Sequence, residues 1–249
     1  MKSPEKVVNH IVSWLKNYLE TSKIKGFVVG VSGGIDSAVT STLCARTGAP
    51  VLCLEMAIHQ EENQVSRALD HIQWLEKNHE NVSHHSIMLT PLFESFVKVL
   101  PPTEKNEEQL LSLANTRARL RMSTLYYFAA LHNYLVAGTG NKVEDFGVGF
   151  YTKYGDGGVD ISPIADCTKT QVWELGRYLE ISEDIINTPP TDGLWDDGRN
   201  DVQQLGMSYE ELEKAMDDKK DPNYQKYLEI REKNLHKMKP IPVCTFNET

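Results

Sequence analysis

The chain has 249 residues, of which 40% are hydrophobic and 24% charged, the balance of an ordinary globular protein rather than a disordered or fibrous one. Its formal net charge of −9 argues against non-specific nucleic-acid binding, which needs a basic surface to release counterions. No stretch reaches the roughly 18 uninterrupted apolar residues of a membrane span, and Cys44, Cys53, Cys167 and Cys244 form no Cys-x-x-Cys pair, so the expectation is a cytoplasmic protein with reduced thiols, no zinc site, no membrane and no nucleic-acid partner.

Residues 4–21 place Val7, Val8, Ile11, Val12, Leu15 and Leu19 at helical spacing, an amphipathic helix suited to cover a sheet or a partner subunit. Phe27 to Val31 is a β-branched run that breaks at Ser32-Gly33-Gly34 and resumes at Asp36 as a helix, for which Gly48 reads as the C-cap. Val51–Leu54 is a second strand, short and apolar enough to be buried in a parallel sheet. A helix follows over 61–79, then a third strand at Ser86–Leu89, and Thr90-Pro91 opens another helix. Residues 101–109 read as a polar surface connection, 110–134 as a helix and Leu135–Ala137 as a strand. Five glycines between Phe146 and Asp160 exclude one regular element there and predict a mobile or ligand-shaped loop. Thr168 and Gln171 have capping-box spacing, as do Ser208 and Glu211; residues 195–204 read as a disordered loop, and 223–238 as a final helix ended by Pro240. Strands alternating with helices, without internal repeats, predict an α/β fold: a single domain over 1–249, a parallel sheet flanked by helices.

The stretch with the most chemistry is Gly30-Val31-Ser32-Gly33-Gly34-Ile35-Asp36-Ser37. Adjacent glycines allow positive φ and leave no Cβ in the way. Successive N–H groups then curl round an anion at a helix N-terminus, where the dipole also favours negative charge. Ser32 and Ser37 add hydroxyls, and Asp36 sits where a carboxylate can hold a metal that bridges phosphates. A Gly-Gly pair alone is an ordinary turn. The whole string resembles the signature of ATP pyrophosphatases, which cleave ATP between the α- and β-phosphates. It is neither a Walker A loop, lacking Gly-Lys-Ser/Thr, nor the Rossmann Gly-x-Gly-x-x-Gly.

After the fourth strand, Gly138-Thr139-Gly140-Asn141-Lys142-Val143-Glu144 offers a hydroxyl and a carboxylate. By itself it reads as a turn with an exposed glutamate; paired with Asp36, Glu144 completes the two carboxylates that suit Mg²⁺ on pyrophosphate. Arg117, Arg119 and Arg121 share a helix at two-residue spacing, and periodicity does not choose among them. Lys153 and Lys169 flank the glycine-rich stretch, each either ordinary surface charge or a cation that closes over a phosphate site, and Asp160 ends it as either a turn aspartate or a group that orients a ribose hydroxyl or a cationic group. His236-Lys237 are favourable charges at a helix C-terminus.

Four segments together resemble the ammonia-dependent NAD synthetases over almost the whole chain: Ser32–Ser37, Asn115–Met122, Gly138–Glu144, and Phe150-Tyr151-Thr152-Lys153-Tyr154-Gly155-Asp156-Gly157-Gly158. The resemblance implies a Rossmann-like, adenine nucleotide alpha hydrolase-like sheet and a homodimer. It implies that deamido-NAD, ATP and ammonia become NAD, AMP and pyrophosphate through an adenylated carboxylate. By motif, Gly30 to Ser37, Thr139, Lys169 and Thr191 would bind ATP, with Mg²⁺ on Asp36 and Glu144. Arg119, Lys153, Asp160, His236 and Lys237 would bind deamido-NAD, and Lys153 and Lys169 would join the two carboxylates in catalysis. Many bacterial relatives read Thr-Asp-His-Ala-Ala-Glu at this fourth-strand segment, with one residue fewer before the lysine, which leaves Glu144 intact. Glutamine-dependent relatives carry a further amidotransferase domain, for which no cysteine nucleophile stands near the N-terminus here. The rival readings are a GMP synthetase ATPase domain, a tRNA-thiolating enzyme, which the scattered cysteines and acidic balance disfavour, and a non-enzymatic adenine-nucleotide sensor, which would not require both carboxylates.

Overall fold

The computed structural model describes residues 3–191, 193–194 and 200–246. Four parallel strands, β1 (Gly26–Gly30), β2 (Val51–Glu55), β3 (Val82–Ser86) and β4 (Tyr134–Val136), lie in the order β3-β2-β1-β4. The strands after β1 are added outward on one side as β2 and β3, and then the chain crosses to the other side as β4. The order thus reverses between β1 and β4, and such a reversal opens a crevice at the carboxyl ends of the two strands. The predicted α/β class and parallel sheet are observed.

The helices cover both faces because β1 is apolar on both. Phe27 and Val29 pack with α1 (Pro4–Ser22), α2 (Ile35–Ala45), α3 (Glu62–Asn78), α6 (Lys169–Tyr178) and the short α7 (Glu183–Ile186), where Leu15, Leu43, Ile72 and Leu175 are fully enclosed. Val28, one residue out of phase, packs with Leu54, Phe93 of α4 (Thr90–Lys98) and Ala129 of α5 (Glu107–His132). The period of two along the strand divides the interior into two layers. A third cluster joins Val143 and Val148 to α9 (Tyr209–Asp217) and α10 (Tyr224–Met238) through Leu212 and Tyr227. Both capping boxes read from the sequence form, at Thr168–Gln171 and Ser208–Glu211.

Three expectations are corrected. The third strand lies at Val82–Ser86, not Ser86–Leu89. As an edge strand it tolerates the polar sequence Val-Ser-His-His-Ser, and the apolar run that drew the reading continues beyond it, with Ile87 N–H and Leu89 N–H donating to Glu55 and Ala57 carbonyls. Helix α2 ends at Ala45 with Arg46 as its C-cap, and Gly48, at φ 78°, closes the turn that follows by donating its N–H to the Ala45 carbonyl oxygen. Part of the predicted disordered loop is ordered: Asn200 caps a short helix, α8 (Asp201–Leu205), with a capping box of its own, and Asp201 and Leu205 are buried. Residues 195–199 of that loop lie outside the described residues.

Candidate active site

The loop after β1 and the loop after β4 meet at the reversal of strand order. In the first, Gly33 has φ 79°, and a Cβ there would stand 2.7 Å from the Gln64 carbonyl oxygen of α3, so only glycine fits. Ser37 Oγ accepts from Ser32 N–H at 3.1 Å and lies 3.1 Å from Ser32 Oγ, which folds the turn onto the first residues of α2. Gly34 is the N-cap of that helix and supplies no side-chain acceptor, so the leading N–H groups of α2 face the cleft uncapped.

The second loop follows Gly138 into a π-helical segment, Lys142–Val148. Asn141 is fully buried and fixes both loops at once: its Oδ1 accepts from Val143 and Glu144 N–H groups, and its Nδ2 donates to Asp36 Oδ1 at 3.1 Å. This residue stood inside a segment read from the sequence but received no role there. The preference for asparagine at helix N-caps was the available signal.

Lys169, the first residue of α6, reaches between the two loops. Its Nζ donates to Asp36 Oδ2 at 2.5 Å and to Glu144 Oε1 at 2.9 Å, with the lysine side chain only 2% exposed. The same Glu144 oxygen accepts from the Tyr209 hydroxyl at 2.6 Å, and that hydroxyl also lies 2.7 Å from Asp201 Oδ2. Tyr209 and Asp201 had no role in the sequence reading, because α8 and α9 are brought here only by packing of the third cluster. Burial and the Glu144 charge raise the Asp36 carboxyl, with Lys169 opposing. Burial also pushes Glu144 up, but Lys169 and the Tyr209 hydrogen bond outweigh it and hold that carboxylate below its usual value. Lys169 would be lowered by burial; its two carboxylate neighbours raise it instead, so it stays protonated. Asp145, next in the chain, is raised well above the carboxylate range by burial and by the charges of Glu144, Asp156 and Asp36.

One cleft is lined by Gly30 to Ser37, Thr139, Glu144, Lys169 and Thr191, so the structure brings together every residue assigned by motif to ATP and metal. The five assigned to deamido-NAD do not line it. Arg119 is exposed and donates to the Lys153 carbonyl oxygen, which places those two side by side. Asp160 accepts from Val136 N–H at 2.8 Å and from the Tyr126 hydroxyl at 3.0 Å, bonds that tie the end of the glycine-rich segment to β4 and α5. Lys237 is half-buried, donates to the Tyr151 carbonyl oxygen at 2.8 Å and is lowered by burial; His236 is exposed. Of the three arginines on α5, Arg121 lines the cleft, while Arg117 is buried over the Phe93 ring and donates to the Leu194 carbonyl oxygen.

Fold and cleft together define the class, an α/β protein of parallel sheet and flanking helices, with an uncapped helix N-terminus on one side of the strand reversal and a buried lysine held by two carboxylates on the other. The family model for NAD synthase matches residues 7–244. An NH(3)-dependent NAD(+) synthetase of Carboxydothermus hydrogenoformans is 38% identical over 215 residues, 84% of each chain. Among solved structures, NMN synthetase from Francisella tularensis superposes with a TM-score of 0.88 at 33% identity, covering 98% of this chain and 99% of that one. NH3-dependent NAD synthetase from Campylobacter jejuni gives 0.78 at 29%, covering 98% and 100%. The chain belongs to the NAD synthase family.

Proposed function

We propose that this enzyme is an ammonia-dependent ligase that amidates deamido-NAD to NAD with ATP, releasing AMP and pyrophosphate. The observation that carries the reading is the convergence of the uncapped α2 N-terminus, the Asp36–Glu144 pair and Lys169 on one cleft. The nicotinate carboxylate attacks the α-phosphorus of ATP and the Pα–O–Pβ bond breaks. Ammonia then attacks the adenylated carboxyl carbon and AMP leaves. Two anionic substrates must be brought together, so the work of the protein is charge neutralisation and orientation. The N–H groups of the Ser32–Ser37 turn hold phosphate oxygens, with Thr139 and Thr191 as further hydroxyl donors. Lys169, held between Asp36 and Glu144 in the free enzyme, is assigned to ATP. Arg119, Lys153, Asp160, His236 and Lys237 are assigned to the dinucleotide.

Asp36 and Glu144 are the candidate holders of Mg²⁺. The fit is supported by their oxygens meeting a single cationic atom, Lys169 Nζ, and by both being hard oxygen donors. No group of three or more metal-ligating side chains occurs among the described residues. A Mg²⁺ on substrate phosphates keeps waters and takes few protein ligands, which two carboxylates would supply. Held there, the ion would supply charge neutralisation to the pyrophosphate. The reading includes a homodimer, supported by exposed apolar side chains on α5, Tyr127 and Leu131, and a cytoplasmic location, in keeping with its buried free thiols at Cys44, Cys53 and Cys167.

The likeness to NMN synthetase favours a second reading, in which nicotinate mononucleotide is the acid that is amidated. It is consistent with the dinucleotide residues lying outside the cleft and with the Asp160 carboxylate being engaged by Val136 and Tyr126. The test is amide formation with ATP, Mg²⁺ and ammonium, comparing kcat/KM for deamido-NAD and for nicotinate mononucleotide. A preference for deamido-NAD supports the first reading and a preference for the mononucleotide the second. ATP turnover that is unchanged when XMP replaces both overturns the two together.

A further inference from the structure

Among the cationic side chains that line the cleft, two are already committed. Lys169 is bonded to Asp36 and Glu144, and Arg121 donates to the Met56 carbonyl oxygen at 3.0 Å and to Gln60 Oε1 at 2.6 Å. Arg67 differs. It lines the same cleft from α3 and has no hydrogen bond or ion pair among the described residues, and its Nε is enclosed without a partner. The residue is half-buried, so the cost falls on that one N–H, which has lost water without gaining a protein acceptor. Its backbone stands directly against the anion cradle: a Cβ built on Gly33 would lie 3.3 Å from Arg67 Cβ and 3.1 Å from Ala68 N.

We propose that Arg67 is a phosphate-binding arginine of this enzyme, contacting the β- and γ-phosphates of ATP and the pyrophosphate that leaves. The inference rests on the assignment of the cleft to ATP. The carboxylates and Lys169 gather on the β4 side of the turn, so the cation on the α3 side complements the other flank of the phosphate chain. A planar fork of donors suits a polyphosphate better than a point charge. As the Pα–O–Pβ bond breaks, its electron pair leaves with pyrophosphate, and a guanidinium at that end stabilises the charge that develops. No such role was visible in the sequence, where Arg67 is one polar residue on an amphipathic helix.

The experiment is calorimetric binding of Mg²⁺–pyrophosphate and of AMP to the parent enzyme, Arg67→Gln and Arg67→Lys, together with the KM for ATP. Loss of a charged hydrogen-bonding partner predicts roughly tenfold to hundredfold weaker pyrophosphate binding and a similar rise in the KM for ATP in R67Q, with part of the loss restored in R67K. AMP affinity should stay within about twofold of the parent. Pyrophosphate binding that is unchanged in R67Q, or AMP and pyrophosphate weakened equally, overturns the assignment. A parent enzyme that makes amide product while R67Q binds pyrophosphate normally refutes only the arginine role. A parent that makes none refutes the reaction itself.

Discussion

Replacing Lys169 by methionine should destabilise the ligand-free enzyme severely, for a reason that can be sized from its contacts. The ammonium is shared by Asp36 at 2.5 Å and Glu144 at 2.9 Å, with side-chain exposures of 2% for the lysine and 17% and 15% for the carboxylates. A solvent-exposed pair would contribute about 0–1 kcal/mol. Removing one partner from a buried group instead costs about 3–5 kcal/mol, because the remaining charges stay desolvated and here also repel each other. In a chain of this size each kcal/mol is worth roughly 2–4 °C, so a loss of about 3 kcal/mol lowers Tm by about 6–12 °C. Thermal unfolding with chelator at pH 8 measures it. Added Mg²⁺ should raise the Tm of Lys169→Met by more than that of the parent, since the two carboxylates then gain a cation. A variant that melts within about 2 °C of the parent, or that gains nothing extra from Mg²⁺, would refute the reasoning.

Tyr209→Phe removes the hydroxyl that lies 2.6 Å from Glu144 and 2.7 Å from Asp201; the Mg²⁺ concentration for half-maximal rate should rise roughly tenfold, and an unchanged requirement would show that Tyr209 does not orient Glu144. Gly33→Ala introduces a Cβ 2.7 Å from a backbone oxygen at φ 79°, so ATP affinity measured by calorimetry should fall at least about tenfold from displacement of the cradle, with strain of about 1–3 kcal/mol. His71 is buried against Ser41 Oγ at 3.0 Å, and burial lowers its pKa from 6.5 to about 4. Its folded value lies below its unfolded one, so the unfolded chain binds the extra proton first. The stability it contributes is complete above pH 6.5 and is lost as the pH falls toward 4, by up to about 3 kcal/mol. Denaturant melts across that window should show a shallower acid loss in His71→Gln.

Much of this protein was legible as a string of residues because it is local. The β1 strand, the Ser32–Ser37 turn and the two capping boxes depend on side-chain period, backbone freedom and hydrogen bonds a few residues apart. The same holds for Asp36 and Glu144, each set by its own loop. Their meeting was not legible: Asn141 and Lys169 join them across 105 and 133 residues, a distance only the reversal of strand order closes. Nor was the edge strand at Val82–Ser86, whose polar sequence is permitted by its place at the sheet margin. The sequence by itself determined the Ser32–Ser37 turn and the two loops that carry Asp36 and Glu144, a string that resembles the signature of enzymes cleaving ATP between the α- and β-phosphates. Tertiary structure decided which side chains are left to act. Packing of α8 and α9 delivers Tyr209 and Asp201 to Glu144, and the crossing of α3 over the turn leaves Arg67 as a cation without a protein partner among the described residues. Desolvation is a property of the assembled neighbourhood, and no residue carries it alone.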